Sequence, residues 1–471
     1  MNLENSYSQL PAAMYAAVAP EPAKHPALLA WNASLADELG LRHLGRDAEE
    51  CARIFSGGPL PTEIEPVALA YAGHQFGVFV PQLGDGRAAL LGEAVDRSGM
   101  RRDIQLKGSG RTPFSRGGDG RSWLGPVIRE YLVSEAMHAL GVPTTRALAA
   151  VATGERVYRQ DALPGAVFTR VAASHLRVGT FEYLAARQEK AALEALTDYA
   201  IDRHFPDARG AGDRHAAFFD AVATRQADLV ARWMALGFIH GVMNTDNTSI
   251  AGETLDYGPC AFMDEFRYDK VFSSIDHQGR YAYANQPLIA QWNLARLAEC
   301  LLLVCDSRDA FEATLSAFPD QYNGTYRSLM REKLGLADQQ DGDNALIDAF
   351  LSHLEAEELD YTLSFRELAS RIDADDEPRL GEPEMEWRQR VRSQGRAPDE
   401  VAAAMNAVNP RFIPRNHRIE QAIGNAVDGN LAVFRELETV LSQPFEEQPE
   451  FDRYAAAPAP AERVMQTFCG T

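Results

Sequence analysis

The sequence predicts an α+β fold in two parts, a small strand-rich one followed by a large helical one. Three observations carry this. Between residues 73 and 171, short alternating apolar runs are separated by glycine-containing turns. One amphipathic segment, 122–141, interrupts them with apolar residues at helical spacing and closes on Gly141 and Pro143. After Ser174 the helical period dominates. The expected division is 1–70 as an N-terminal extension wrapping the core, 71–173 as the small lobe, 174–375 as the helical lobe, and 376–471 as a helical extension with a cysteine-bearing tail.

Taken in order, 5–22 reads as loop, 26–39 as a helix closed by Gly40, and 55–61 as punctuation rich in Gly and Pro. Runs 76–79 and 88–93 flank Gly84-Asp85-Gly86, which predicts a hairpin with a glycine tip. Residues 102–107 alternate and end in Lys107, a third strand, and a Gly- and Arg-rich loop follows over 108–121. Further strands are expected at 148–152, 155–159 and 166–171. Helices are expected at 180–188, 190–204, 215–234, 287–304, 310–334, 344–356, 361–372 and 418–426. Acidic 373–378 reads as a solvated loop and 455–460 as a flexible linker towards Cys469.

Composition narrows the function. A net charge of −21 over 471 residues argues against a general polyanion binder, so no nucleic-acid partner is expected, while a small nucleotide needs only a local basic pocket. No apolar run reaches the roughly 18 residues of a membrane span. Met1 to Ser6 lacks the start of a secretory signal, so no membrane partner and a cytoplasmic location are expected. The five cysteines form no CxxC pair, which argues against zinc, and Cys300 and Cys305 read as reduced core residues.

The chemistry centres on His240-Gly241-Val242-Met243-Asn244-Thr245-Asp246-Asn247, followed by Asp256-Tyr257-Gly258. Protein kinases write H-x-D-x-x-x-x-N and then D-F-G, with the first Asp as base and the Asn and second Asp on metal. Here Val242 stands in the base's place. Asn247 and Asp256 offer an amide oxygen and a carboxylate, hard ligands suited to Mg²⁺. Asp246 is the candidate proton acceptor in place of the missing base. Lys107 at a strand end and Glu130 on the next helix match the pair that orients an ammonium on phosphates. Hairpin, Lys-bearing strand, helix and further strands follow the order of a kinase N-lobe. Gly84, Gly86 and Arg87 allow backbone amides and a cation to approach phosphate. The loop 108–121, with Asp119 and Gly120, and the nearby Arg170 and Arg177 add a locally basic pocket for an anion.

Together, YAGHQFGVFVPQLGDGRA (71–88), DIQLKGSGRTPFSRGGDGRSWLGPVIREYL (103–132), FTRVAASHLRVGTFEY (168–183), HGVMNTDNTSIAGETLDYGPCAFMDEF (240–266) and NPRFIPRNHRIEQAI (409–423) closely resemble the selenoprotein O family of kinase-like proteins. The resemblance implies a bilobal protein-kinase-like fold and protein adenylylation. AMP would pass from ATP, the co-substrate, to Ser, Thr or Tyr hydroxyls of proteins, the chain itself among them, releasing pyrophosphate. It also implies an ATP flipped relative to ordinary kinases, which accounts for Val242. Carried over by position, Lys107 contacts phosphate and pairs with Glu130; Gly84, Gly86, Arg87, Asp119, Gly120, Arg170 and Arg177 contact nucleotide; Asn247 and Asp256 hold Mg²⁺ or Mn²⁺; Asp246 accepts the proton. Some members carry selenocysteine near the C-terminus, where this chain has Cys469. Cys260 follows the Asp-Tyr-Gly motif, and a regulatory Cys260–Cys469 disulfide restraining the active-site loop is expected.

Three rivals remain at this level. Small-molecule phosphotransferases share the His-Gly start but keep Asp directly after it, which Val242 contradicts. A silent ATP-binding scaffold would bind nucleotide without turnover. Transfer of UMP would use the same geometry.

Overall fold

The computed structural model describes residues 3–468. Its strands are β1 (Tyr15–Ala17), β2 (Ala27–Trp31), β3 (Val67–Leu69), β4 (Gly73–Gln75), β5 (Val78–Val80), β6 (Ala88–Val95), β7 (Arg101–Lys107), β8 (Ser122–Trp123), β9 (Arg146–Tyr158), β10 (Ala162–Ala172), β11 (Phe238–Ile239) and β12 (Ala261–Phe262). An antiparallel eight-stranded sheet runs in the order β1-β3-β6-β7-β10-β9-β2, with β8 pairing β10. Residues before 70 therefore supply strands at both edges of the sheet, in addition to helices α1 (Ala33–Glu38) and α2 (Ala48–Ile54).

Period-two alternation sends neighbouring residues into two separate cores. Leu91, Ile104, Leu106, Ala149 and Val167 join a smaller cluster with α1 and α2. Leu90, Ala150 and Phe168 face the other way, into the main core with α3 (Leu124–Ala139) and the helical half. That half comprises α4 (Val178–Ala186), α5 (Lys190–His204), α6 (Arg214–Ala235), α7 (Gln286–Leu301), α8 (Arg308–Lys333), α9 (Asp343–Ala356), α10 (Tyr361–Ala369), α11 (Glu382–Arg392), α12 (Pro398–Val408), α13 (Asn416–Val427) and α14 (Ala432–Leu441). The observed class is mixed α and β, as expected. Among the described residues no helix is long and apolar enough to cross a membrane.

Several expectations need correction. The predicted helix 26–39 begins as strand β2, whose Ala27 pairs Ala152 of β9, and the helix starts only after Asn32, whose side chain accepts from the Leu35 N–H at 3.0 Å. The hairpin predicted around 84–86 does not form. The tight turn is Phe76-Gly77, both at positive φ (51° and 82°), which closes β4 onto β5, while β6 pairs β3 and β7. Strands expected at 148–152 and 155–159 are one strand, β9, that passes through Gly154 at φ 70° without turning back. Helices α2, α11, α12 and α14 went unread.

Helices α13 and α14 pack against α3: Arg129 pairs Glu420, the Tyr131 hydroxyl donates to Glu438 at 3.1 Å, and the Tyr131 ring lies 5.7 Å from Phe434. Arg415, 1% exposed in its side chain, ties α13 to Asp264 (2.5 Å) and Asp360 (2.7 Å). The tail is docked up to the limit of the described residues. Thr467 donates its N–H to Phe272 O (2.8 Å) and its hydroxyl to Pro259 O (2.5 Å). Cys469 lies outside the described residues.

Candidate active site

The Asp103-Ile104-Gln105-Leu106-Lys107 stretch of β7 shows how sequence builds the site. Ile104 and Leu106 enter the smaller core, so Asp103, Gln105 and Lys107 form a polar row on the opposite face. Asp103 takes His175 Nδ1 at 2.9 Å and Arg203 at 2.6 Å. Gln105 donates to Asp85 Oδ2 (2.9 Å) and accepts from Arg170 (2.6 Å). Lys107, 6% exposed, places its ammonium 2.5 Å from Glu130 Oε1 on α3 and 3.0 and 3.1 Å from the two oxygens of Asp256.

The loop that carries Asp256 is delimited by β11 and β12, which pair antiparallel, so the His240–Asn247 stretch and Asp256-Tyr257-Gly258 leave and return at one point. Gln286 at the start of α7 holds that point, accepting from the His240 N–H (2.9 Å) and donating to Phe238 O (2.9 Å). Asn293 of the same helix donates to Met243 O at 3.0 Å. His240 is buried, which pulls its imidazole down to about 4 and keeps it neutral. Tyr257 is buried and bonded to the Thr144 hydroxyl.

Electrostatics concentrate on Asp256. Burial alone would raise its carboxyl; Lys107, Arg170 and Arg87 outweigh that and hold it well below the usual carboxylate range. Arg170 donates to Leu255 O at 2.8 Å and approaches Asp256 Oδ2 at 3.9 Å. Arg177 caps the start of α4, stacks 4.1 Å from the Tyr71 ring centroid and faces Asp85 Oδ1 at 3.5 Å. Asp85, Gln105, Arg170, Asp256, Lys107 and Glu130 thus form one continuous polar chain.

Asp246 is 9% exposed, and burial raises its carboxyl to about 6. Its Oδ2 accepts from Gln75 Nε2 at 3.2 Å, and its Oδ1 is buried without a hydrogen-bond partner. Asn247 turns its amide nitrogen to Val242 O (3.0 Å), which leaves its amide oxygen available as an acceptor. The donor types, an amide oxygen on Asn247 and an ionised carboxylate on Asp256, suit Mg²⁺ or Mn²⁺, which completes its shell from phosphate and water.

The glycine segments meet each other. At Gly84 (φ 113°) a Cβ would lie 2.5 Å from the Phe114 ring, so the 108–121 loop closes onto this stretch. Thr112 Oγ1 donates to Asp85 O (2.6 Å) and Ser115 Oγ to Gly86 O (2.5 Å). At Gly120 a Cβ would lie 2.0 Å from Gly110 O. Arg87 is half-buried beside them. Asp119 pairs Arg159 at 2.8 and 3.1 Å, and that pairing holds its carboxyl low.

Sequence reasoning missed Asp85, Gln75, His74 and Glu182. Asp85 stands between two glycines that were read, yet nothing local marks it as buried. Glu182 of α4 accepts from Thr245 Oγ1 and lies 2.5 Å from His74 Nδ1, tying α4, the catalytic loop and β4 together.

A family model described as Protein adenylyltransferase SelO matches residues 1–442. The chain belongs to this family. Its similarity to curated SelO-type relatives runs end to end. The protein nucleotidyltransferase YdiU of Bradyrhizobium sp. (strain BTAi1) is 56% identical over 484 residues, 99% of each chain. That of Agrobacterium fabrum (strain C58) is 54% identical over 486 residues, 100% of each. That of Rhodopseudomonas palustris (strain BisB5) is 56% identical over 485 residues, 99% of each.

Proposed function

We propose that this SelO-family nucleotidyltransferase transfers AMP from ATP to Ser, Thr or Tyr hydroxyls of proteins, with the nucleotide held between the sheet and the helical half as two lobes of a kinase-like fold. The observation that carries the reading is the pairing of an intact phosphate-binding cluster, Glu130–Lys107–Asp256 with Arg170 behind it, with a catalytic loop whose carboxylate is Asp246 rather than residue 242. The acceptor oxygen bonds to the α-phosphorus, the bond from that phosphorus to the β-phosphate's bridging oxygen breaks, and pyrophosphate leaves. Asp246, nearly buried and bonded on one oxygen by Gln75, takes the hydroxyl proton.

Charge along three phosphates requires cations spread along them. Lys107, Arg170, Arg177 and Arg87 supply four within the electrostatic reach of Asp85 and Asp256. A divalent ion held by Asn247 and Asp256 supplies further neutralisation when bound. The glycines at 84, 86 and 120 let these backbone segments pack closely, since a Cβ at each would meet Phe114 or Gly110.

The test is incubation with Mg²⁺ or Mn²⁺ and ATP labelled at either the α- or the γ-phosphate. Protein-bound α-label that is lost in Asp256→Ala supports the reading, whereas γ-label makes the chain a kinase, and ATP binding with no label makes it a scaffold. Competition by unlabelled UTP against α-labelled ATP separates adenylyl from uridylyl transfer.

A further inference from the structure

Strands β4 and β5 stand apart from the main sheet and pair only with each other. The ribbon they form lies on the catalytic loop. The His74 N–H donates to Thr245 Oγ1 at 2.7 Å. The Phe76 N–H donates to Asn244 Oδ1 at 3.0 Å and to the Tyr281 hydroxyl at 3.2 Å. His74 Nδ1 meets Glu182, which also holds Thr245. Between these ties Gln75 reaches Asp246. Since a carboxylate only accepts, the amide nitrogen of Gln75 must be the donor to Oδ2.

Backbone also closes on this carboxylate, and the charges of Arg177 and Glu182 reach it. A Cβ at Gly73 would lie 2.5 Å from Oδ1, and one at Gly179 would lie 3.2 Å from the Asp246 Cα. Gln75 hydrogen-bonds the carboxylate on Oδ2, while Oδ1 lies buried against Gly73 without a hydrogen-bond partner among the described residues. A ribbon whose turn holds an aromatic residue, Phe76, at positive φ is kept in that shape by the contacts it makes on the loop.

We propose that Gln75 is a positioning residue for transfer: by binding Oδ2 it fixes the orientation in which the Asp246 carboxylate meets the incoming hydroxyl, and the 73–80 ribbon is the device that holds it there. This rests on the reading of Asp246 as proton acceptor, and the experiment separates the two. In the full chain, kcat and KM for ATP are measured with α-labelled ATP and Mg²⁺ for Gln75→Met, Gln75→Glu, Asp246→Asn and the Asp246→Asn/Gln75→Met double variant, alongside equilibrium ATP affinity.

Gln75→Met lowers kcat by about 3- to 10-fold, the weight of one neutral hydrogen bond, with KM for ATP unchanged. Gln75→Glu, of the same shape, lowers it further by setting a second carboxylate against the first, and carries the test if the Met variant loses ATP affinity. In the Asp246→Asn background, Gln75→Met costs nothing more. Wild-type kcat in both Gln75 variants, a change confined to KM, or an equal loss in the Asp246→Asn background overturns the inference while leaving the proton-acceptor reading intact. Full activity of Asp246→Asn sinks the proton-acceptor reading itself, and the inference with it.

Discussion

Lys333 at the end of α8 is a buried amine with no carboxylate paired to it among the described residues. It is 4% exposed, and its Nζ lies over the Phe365 ring at 4.1 Å and the Tyr361 ring at 5.5 Å. Burial pulls the amine from 10.5 down to about 7. That difference corresponds to roughly 5 kcal/mol of cost for burying the charged form, since one pH unit is 1.36 kcal/mol. The two rings return about 2 kcal/mol to the cation, leaving about 3 kcal/mol. The sign follows from proton counts. At low pH both folded and unfolded chains carry the proton and the whole cost falls on the fold. As pH rises through the folded value the fold sheds its proton first, and stability climbs until the unfolded amine also titrates near 10.5. Lys333→Met fills the same space without charge. Urea unfolding should therefore show the variant about 3 kcal/mol more stable at pH 6 and less than about 1 kcal/mol more stable at pH 10. A difference that does not change with pH, or a variant less stable at pH 6, would refute the reasoning.

Other perturbations test the site and its supports. Glu130→Gln removes the carboxylate that orients Lys107 and should lower α-label transfer by about 100-fold with little change in melting temperature. Gly73→Ala drives a methyl into Asp246 and should abolish transfer while calorimetry still finds ATP bound, because Gly73 touches none of the Lys107 cluster. Arg415→Ala strands the carboxylates of Asp264 and Asp360 and should cost about 3–5 kcal/mol in denaturant unfolding. Oxidation followed by peptide mapping should yield a Cys260–Cys469 crosslink and slower transfer that thiol reagents restore; a map without that peptide ends the redox idea.

Where local pattern decides structure, the sequence was legible. β7 was read within one residue because polar and apolar side chains alternate along it, and α5 was read at its bounds because nothing competes with its period. Reading failed where a distant partner decides. The apolar run before Asn32 suits a helix as well as a strand, and its partner lies in β9 more than a hundred residues on. Gly154 suggests a turn, yet its positive φ only kinks β9 where His25 packs against it. Phe76 in a left-handed turn has no compositional signal at all. In the candidate site, motif spacing singled out Lys107, Glu130 and Asp256, which the fold does bring into contact. The groups that hold the surrounding residues, Asp85 on Gln105 and Arg177, Gln75 on Asp246 and Glu182 on Thr245, come from other elements, and their common types give no hint of burial.

The bracing of α3 by α13 and α14 bears on how such an enzyme can be governed. In kinases the helix that bears the glutamate swings away to break the lysine pair and silence the site. Here that helix is wedged: its outer flank is bolted through Arg129 and Tyr131 to helices drawn from the far end of the chain. Withdrawing Glu130 from Lys107 by that swing would break the contacts of Arg129 and Tyr131 with α13 and α14. A switch built on moving this helix would therefore have to move α13 and α14 with it.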